Sequence, residues 1–256
     1  MWALGAVVRH AREPGSRAWA HGLLERSIEP IPDFTSPRAW AFALLGLVDY
    51  LTVRPEDLRF MGLREVLANR LCDHLRSNRR PGWTWFEDVL SYDNARLAQA
   101  VIATGRQANR ADWQGDGLEA LEWLCGVQTA DVGHFRPIGS NGFWCRDGDR
   151  AVFDQQPLEA GASVAACLES WRATHSLRWL TEARRAFDWF LGANDLGESL
   201  YDPATGGCHD GLLCDRMNGN QGGESVLAFL LAAVEMSAAL ASAARTGIHD
   251  SVKTAR

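Results

Sequence analysis

The chain has 256 residues, of which 46% are hydrophobic and 23% charged, and its formal net charge is −6. This length and composition favour one globular domain, which we assign to residues 1–245. The acidic net charge argues against a nucleic-acid partner, which usually meets a concentrated basic face. No basic segment precedes the apolar start, and no apolar run is long enough to cross a bilayer. We therefore expect a cytoplasmic protein without a membrane partner.

Helical periodicity, and the breaks in it, predict the first elements. Residues 1–24 form a helical stretch that is interrupted near Pro14. Ser36, followed by a proline, is a typical helix start, and the predicted helix over 38–51 is apolar around most of its circumference. The segment 57–77 carries a single apolar stripe. An inner, apolar helix is therefore followed by an outer, amphipathic one.

The same alternation continues along the chain. The apolar run from Val226 to Val234 predicts a last helix that is buried on nearly all sides. Residues 246–256 are predicted to be a disordered polar tail. The fold class is all-α, with about four helical hairpins and no strand pattern of any length. Inner helices are predicted at 93–104, 159–174 and 224–244, outer helices at 118–127 and 176–191, and long loops at 129–152 and 192–223.

Three similar stretches place carboxylates, amides and small residues just before an inner helix. Their marker acids are Asp93, Glu159 and Glu224, which are 66 and 65 residues apart. A fixed period with two helices per repeat is typical of stacked helical hairpins. If the hairpins curve into a ring, the three polar stretches meet on one face, and we predict the functional site there.

This alternation of inner and outer helices resembles the six-hairpin (α/α) toroid superfamily, which includes glycoside hydrolases, polysaccharide lyases and N-acylglucosamine epimerases. The motifs FEDVLSYDNARL, FDQQPLEAGA, LYDPATGGCHDGL and NGNQGGESVLAFLLA are similar to a bacterial family associated with glycosyltransferases. The resemblance covers about residues 36–236 and implies a carbohydrate-active (α/α) toroid. A closed toroid of this kind has six hairpins. We therefore expect that N-terminal hairpins are missing, or that a homo-oligomer or a partner chain completes the ring.

Glycoside hydrolysis needs two opposed carboxyl groups, one as acid and the other as base or nucleophile. The predicted catalytic candidates are Asp88, Asp154, Glu159, Asp210 and Glu224. Capping is the alternative role for acids at helix N-termini. Side chains near these acids that could hydrogen-bond or stack on a sugar are Trp83, Trp85, Asn94, Arg96, Trp144, Gln155, Gln156, His209, Asn220 and Gln221.

Other functions stay open beside a glycosidase-like domain that acts on a small-molecule or oligosaccharide substrate. Cys145 with Cys208 and His209 resembles the zinc ligands of lanthionine cyclases, although the spacing of the flanking glycines differs. His134 and His209 would be the pair of bases in a sugar epimerase. A non-catalytic carbohydrate-binding or scaffolding domain beside a glycosyltransferase is a further alternative. No cofactor is predicted, since the sequence has no glycine-rich nucleotide loop.

Overall fold

The structure is a computed structural model that describes residues 1–245. Nine α-helices account for most of this range, and the strands within it are two residues long, which confirms the all-α prediction. The chain forms two compact units. The first consists of Met1–Glu87 with Arg96–Trp123, and the second of Asp88–Ala95 with the described chain from Leu124 onwards. The predicted tail, 246–256, lies outside the described residues.

Helical hairpins build the first unit. The helix that contains Gly5 packs closely against the inner helix that contains Gly46, and a Cβ added to Gly5 would lie 2.2 Å from the carbonyl oxygen of Gly46. Only a pair of glycines lets two helix backbones meet at this distance. The helices are α1 (Trp2–His10), α2 (Pro14–Ser27), α3 (Pro37–Val53), α4 (Leu58–Asn78) and most of α5 (Ala95–Ala108) and α6 (Ala111–Val127), with a 3₁₀ helix at Ile31–Asp33.

The helix α4 is the amphipathic outer helix that the sequence predicts. Leu67, Leu71 and Leu75 are buried along one stripe. Asp57 caps its N-terminus, because its carboxylate accepts hydrogen bonds from the backbone N–H groups of Arg59 and Phe60. The predicted helix start at 57 is therefore confirmed.

The second unit contains two long helices around a buried centre. In α7 almost every residue is buried, as expected for an inner helix. The helix α9 packs against it so that a Cβ on Gly161 would lie 3.1 Å from the carbonyl oxygen of Ala228. The elements are α7 (Pro157–Thr174), α8 (Leu177–Asp188), a 3₁₀ helix at Trp189–Leu191, α9 (Gly223–Arg245), and the antiparallel pairs β1 (Val89–Leu90) with β2 (Trp144–Cys145) and β3 (Tyr201–Asp202) with β4 (Gly207–Cys208).

The prediction that α9 is buried on nearly all sides is wrong. Leu227, Leu230, Leu231 and Val234 are 59%, 46%, 53% and 67% exposed. The described residues contain one helix, α9, that is long and apolar enough to cross a membrane, and a third of its most apolar window is buried. Length and composition are weak evidence for a membrane span, because core helices pass the same test.

Candidate functional site

Two of the three predicted polar stretches share one local conformation. Asp93 and Asp154 each follow an aromatic residue and adopt the left-handed backbone conformation, with φ of 49° and 54°. The next residue is a buried amide, Asn94 or Gln155, that donates to the carbonyl oxygen three residues before it, at 3.3 Å and 2.9 Å. The structural equivalent of Asp93 is therefore Asp154, which lies 61 residues later, and not Glu159.

Glu159 lies in the first turn of α7 and contacts the chain just before α5. Its Oε2 atom accepts hydrogen bonds from Nδ2 of Asn94 at 2.9 Å and from the backbone N–H of Asn94 at 3.4 Å. The side chain is buried. Burial, and then the nearby charge of Asp93, raise its pKa to about 7. The structure thus brings two predicted site residues, Asn94 and Glu159, together, but in the buried interior of the unit.

A cluster around Asp195 fixes the two long loops of the second unit to each other. Arg136 binds the Asp195 carboxylate through two nitrogens, and His134 and Gln155 also hydrogen-bond to it. Burial alone would raise the pKa of Asp195, but these hydrogen bonds outweigh it and hold the pKa below its usual range. The Gln155 amide also accepts from Nε1 of Trp189 at 2.9 Å. The side chains of Gln155 and His134 therefore form hydrogen bonds that hold the second unit together.

Asp154 lines an open cavity of about 470 Å³ on the second unit. No hydrogen bond or ion pair to its carboxylate is present among the described residues. A second carboxylate in this cavity, Asp215, is ion-paired with Arg216 at 2.9 Å, and both side chains are about two-thirds exposed. The complete lining is Asn141, Val152, Phe153, Asp154, Leu213, Cys214, Asp215 and Arg216.

The backbone on both sides of Asp154 is held firmly. Its carbonyl oxygen accepts hydrogen bonds from the backbone N–H of Ser140 at 2.9 Å and from the Ser140 hydroxyl at 3.1 Å. Gln155 and Leu212 exchange two backbone hydrogen bonds, at 3.1 Å and 2.9 Å. The chain at Gly139 passes so close that an added Cβ would lie 1.8 Å from the Phe153 carbonyl oxygen. Asp154 thus lies on a rigid, left-handed turn, and its carboxylate has no partner within residues 1–245.

Asp88 lies beside a different cavity, of about 450 Å³. Its side chain is 66% exposed and forms an ion pair with Arg146 at 2.8 Å. The β1–β2 pair positions this region, and Nε1 of Trp144 donates to the carbonyl oxygen of Gly148. The cavity is lined by Asp88, Val89, Cys145, Arg146, Asp147 and Gly148. Its aromatic and amide content is poorer than that of the cavity at Asp154.

The remaining predicted acids and amides have structural partners or lie on the surface. Asp210 accepts from the backbone N–H of Gly222 and so holds the turn before α9. Gln221 bonds to Asp202, and Glu224 is exposed in the first turn of α9. Of the other amides, Gln156 occupies the N-cap position of α7 without a side-chain cap bond, and Asn220 is exposed with its carbonyl oxygen bonded to Asp210 N–H.

The structure corrects three of the predicted sugar contacts. Trp83 and Trp85 are 3% and 0% exposed, and Trp83 packs against Trp123 with ring centroids 5.1 Å apart. Arg96 is buried, bonds to Gln99 and lies over the Trp2 ring. These side chains belong to the core of the first unit, where they cannot reach a sugar.

The alternative zinc ligands do not form a site in the described part of the chain. Cys145 is exposed, whereas Cys208 is buried and its pKa is raised to about 12, first by burial and then by the charge of Asp210. His209 directs Nδ1 to the carbonyl oxygen of Asn218 at 2.8 Å. No group of three or more His, Cys, Asp or Glu side chains within residues 1–245 is arranged to hold a metal ion.

Sequence reasoning missed Asp215, Arg216, Asn141 and Asp195. The first two follow a cysteine in a loop without helical periodicity, so nothing in the sequence distinguishes them from ordinary surface charges. Asp195 is recognisable only through partners that lie about 40 to 60 residues earlier in the chain.

No protein-family model matches the chain, and no curated protein matches its sequence. Solved structures do match. An unsaturated glucuronyl hydrolase specific for heparin is 11% identical, with a TM-score of 0.58 over 74% of this chain and 55% of its own. The chain therefore spans little more than half the length of that enzyme.

Two further structures match over more of their length. The Lin0763 protein from Listeria innocua is 13% identical, with a TM-score of 0.58 over 94% of this chain and 85% of its own. A glycoside hydrolase family 76 mannosidase from Bacteroides thetaiotaomicron is 12% identical, with a TM-score of 0.53 over 91% and 84%. At these identities the likeness shows the fold alone. The chain shares with these structures an all-α fold of helical hairpins, of the (α/α) toroid class.

Proposed function

We propose that the second unit binds a carbohydrate in the cavity lined by Asp154 and acts on it as a glycosidase-like domain. The observation that carries this proposal is a carboxylate on a rigid turn that has no partner among the described residues, in a cavity whose size is typical of small-ligand sites. Phe153 offers an apolar face for a sugar ring. Asn141 and Arg216 offer donors for its hydroxyl groups. The fold shared with glycoside hydrolases is consistent with this use.

Hydrolysis of a glycoside requires a carboxylic acid that protonates the leaving oxygen and a second carboxylate that acts as base or nucleophile. Asp154 and Asp215 are the two carboxyl groups in this cavity. Asp154 is the member of the predicted catalytic set that lines it. Asp88 lies at the other cavity, Asp210 holds a turn, and Glu224 lies on the surface of α9.

Non-catalytic carbohydrate binding is the second candidate, and one observation favours it. Of the predicted catalytic carboxyl groups, the one with a raised pKa, Glu159, is buried and does not line the cavity. Raised pKa values usually mark the acid of a glycosidase. In this alternative, Asp154 and Arg216 would hydrogen-bond a sugar without cleaving it. Association with a glycosyltransferase and a cytoplasmic location remain predictions from the sequence.

The first test is calorimetric binding to a panel of mono- and oligosaccharides, combined with an assay for released reducing ends. We expect one class of sugar to bind saturably and Asp154→Asn to abolish its turnover, with binding weakened about tenfold or more, which corresponds to roughly 1.4 kcal/mol. Asp149→Asn is the matched control, because Asp149 is exposed on the preceding loop and outside the cavity lining.

Three results would separate the candidates. Binding without release of reducing ends would favour the non-catalytic alternative. Equal loss in Asp154→Asn and Asp149→Asn would show that the effect is not specific to the cavity. Binding that depends on added zinc and disappears with a chelator would return the zinc alternative to consideration.

A further inference from the structure

The helix α9 has one face that packs and one that does not. Its packed face includes Phe229, whose ring stacks on that of Tyr201 with centroids 4.6 Å apart. The opposite face consists of exposed residues at helical spacing, here called the outer stripe: Leu227, Leu230, Leu231, Val234, Ala238 and Ala241. Four large apolar side chains that are each about half exposed or more, next to one another on one helix, form a patch that usually marks an association surface.

The outer stripe is asymmetric along the helix. Its N-terminal half carries large side chains, from Leu227 to Val234, and its C-terminal half carries alanines at 238 and 241. Two such helices that run antiparallel place the large half of one against the small half of the other. Leu231 of each copy would then face Ala238 of the second copy. Large and small residues alternate in this way across well-packed helix pairs.

The charges at the ends of α9 support the same arrangement. Glu224 is exposed in the first turn, and Arg245, also exposed, is the last described residue. Antiparallel pairing brings the acidic end of one helix to the basic end of the other, whereas parallel pairing would join like charges. The helix macrodipoles are opposed in the same sense. The remaining charged residue of α9, Glu235, lies beside the outer stripe and outside it.

From the exposure, the size asymmetry and the end charges, we propose that the outer stripe pairs with the outer stripe of a second copy of this chain. The two α9 helices run antiparallel about a two-fold axis near Val234. Such an interface is isologous: the leucines of one outer stripe lie against the alanines of the other, and the reverse, while the two Val234 side chains meet at the axis.

The mass of the full chain in solution tests the proposal. The chain mass is 28.2 kDa, and we expect light scattering to show twice this value at micromolar concentration. Leu231→Glu should weaken the dimer at least tenfold, because it places two carboxylates in the interface. Val132→Glu is the control, since Val132 is 83% exposed on a loop of the same unit. An unchanged circular dichroism spectrum with a cooperative thermal transition would show that Leu231→Glu is folded.

Cross-linking tests the direction of the helices. In a background with the exposed Cys145 and Cys214 replaced by serine, Leu227→Cys and Ala241→Cys are made as separate proteins. Oxidation of the mixture should give covalent dimers of one copy of each, whereas Leu227→Cys alone should give few. The reverse result would contradict antiparallel pairing without depending on any destabilising substitution.

Other outcomes would overturn the proposal. A single chain mass at all concentrations would exclude a second copy as the occupant. A dimer that survives Leu231→Glu unchanged would place the interface elsewhere. Flotation of the wild-type chain with phosphatidylcholine vesicles, lost in Leu231→Glu, would assign the outer stripe to a lipid surface instead.

Discussion

A buried carboxyl group such as that of Glu159 keeps its proton because ionisation would leave a charge in a poorly solvated place next to Asp93. In the unfolded chain the same group has its ordinary pKa of 4.5, whereas in the folded protein the pKa is about 7. The folded state therefore binds more protons than the unfolded state between these values. It follows that the contribution of Glu159 to stability is full below about pH 4.5 and is lost as the pH rises through about 7.

Glu159→Gln should remove this pH dependence. Glutamine is uncharged at every pH and can still accept the hydrogen bonds from Asn94. The variant should resemble the wild type at pH 5 and exceed it in free energy of unfolding at pH 8, by an amount on the order of 3 kcal/mol. Denaturant unfolding between pH 5 and 8 measures the difference.

The control for this experiment is Glu224→Gln, because Glu224 also lies in the first turn of its helix, α9, but is exposed. We expect its pH profile to follow that of the wild type. A Glu159→Gln profile parallel to the wild-type profile would show that Glu159 is ionised in the folded protein throughout this range.

Individual helices differ in how their first turns are satisfied. In α4 the Asp57 carboxylate accepts from two backbone N–H groups and also from the Tyr50 hydroxyl at 3.0 Å. In α3 the equivalent residue, Ser36, makes no side-chain bond to the helix start. The sequence predicts a cap at Ser36 and only a helix start at Asp57, but it is Asp57 that makes the cap bonds.

Asp57→Ala should therefore destabilise the protein by about 1 to 2 kcal/mol, while Ser36→Ala should change the free energy of unfolding by a few tenths at most. Both substitutions remove a polar side chain from an N-cap position, so each is the control of the other. Urea unfolding followed by circular dichroism provides the comparison. Equal effects would mean that the Asp57 bonds contribute nothing net.

The helices were predictable because their signals are local. Apolar period, capping residues and prolines predict α3, α4, α7 and α9 to within a few residues of their observed ends. The burial of α9 was predicted incorrectly, since an apolar sequence does not reveal whether a neighbour covers it. Trp83 and Trp85 were misassigned for the related reason that loop residues can also pack into a core.

The functional candidates were predictable to a smaller degree. The acid, amide and aromatic residues of FDQQ predict a site near Asp154, and the structure places a cavity there. The partners in that cavity come from the loop around Asp215, and the network of Asp195 joins distant loops. Such contacts depend on tertiary packing, which one sequence without local periodicity does not specify.

At the scale of the whole molecule, buried cysteines lie in both compact units, so their reactivity can be used to follow the unfolding of each unit. Burial raises the pKa of Cys72 and of Cys208 to about 12, and the Sγ atoms of Cys125 and Cys167 lie 3.9 Å apart in the interior. Cys145 and Cys214 are exposed. Buried thiols with raised pKa react slowly, because the thiolate is the reactive form.

A thiol reagent should therefore modify two of the six cysteines in the native protein, and all six after denaturation. Cys72 lies in the first unit and the other three buried cysteines in the second. If residues 1–245 unfold as one domain, all four should become reactive at the same denaturant concentration, as mass spectrometry of the labelled peptides would show. Exposure of Cys72 at a different concentration would mean that the two units unfold separately.

The left-handed turns at Asp93 and Asp154 allow a backbone requirement at Asp154 to be distinguished from a requirement for its carboxylate. Glycine and asparagine adopt this conformation with little cost, whereas valine or isoleucine would strain it. In a library of substitutions at position 154, functional variants that carry glycine would show that only the backbone conformation is required. Functional variants that carry only acidic residues would show that the carboxylate itself is required. Asp93, with the same conformation, provides an internal reference against which the tolerance of Asp154 can be judged.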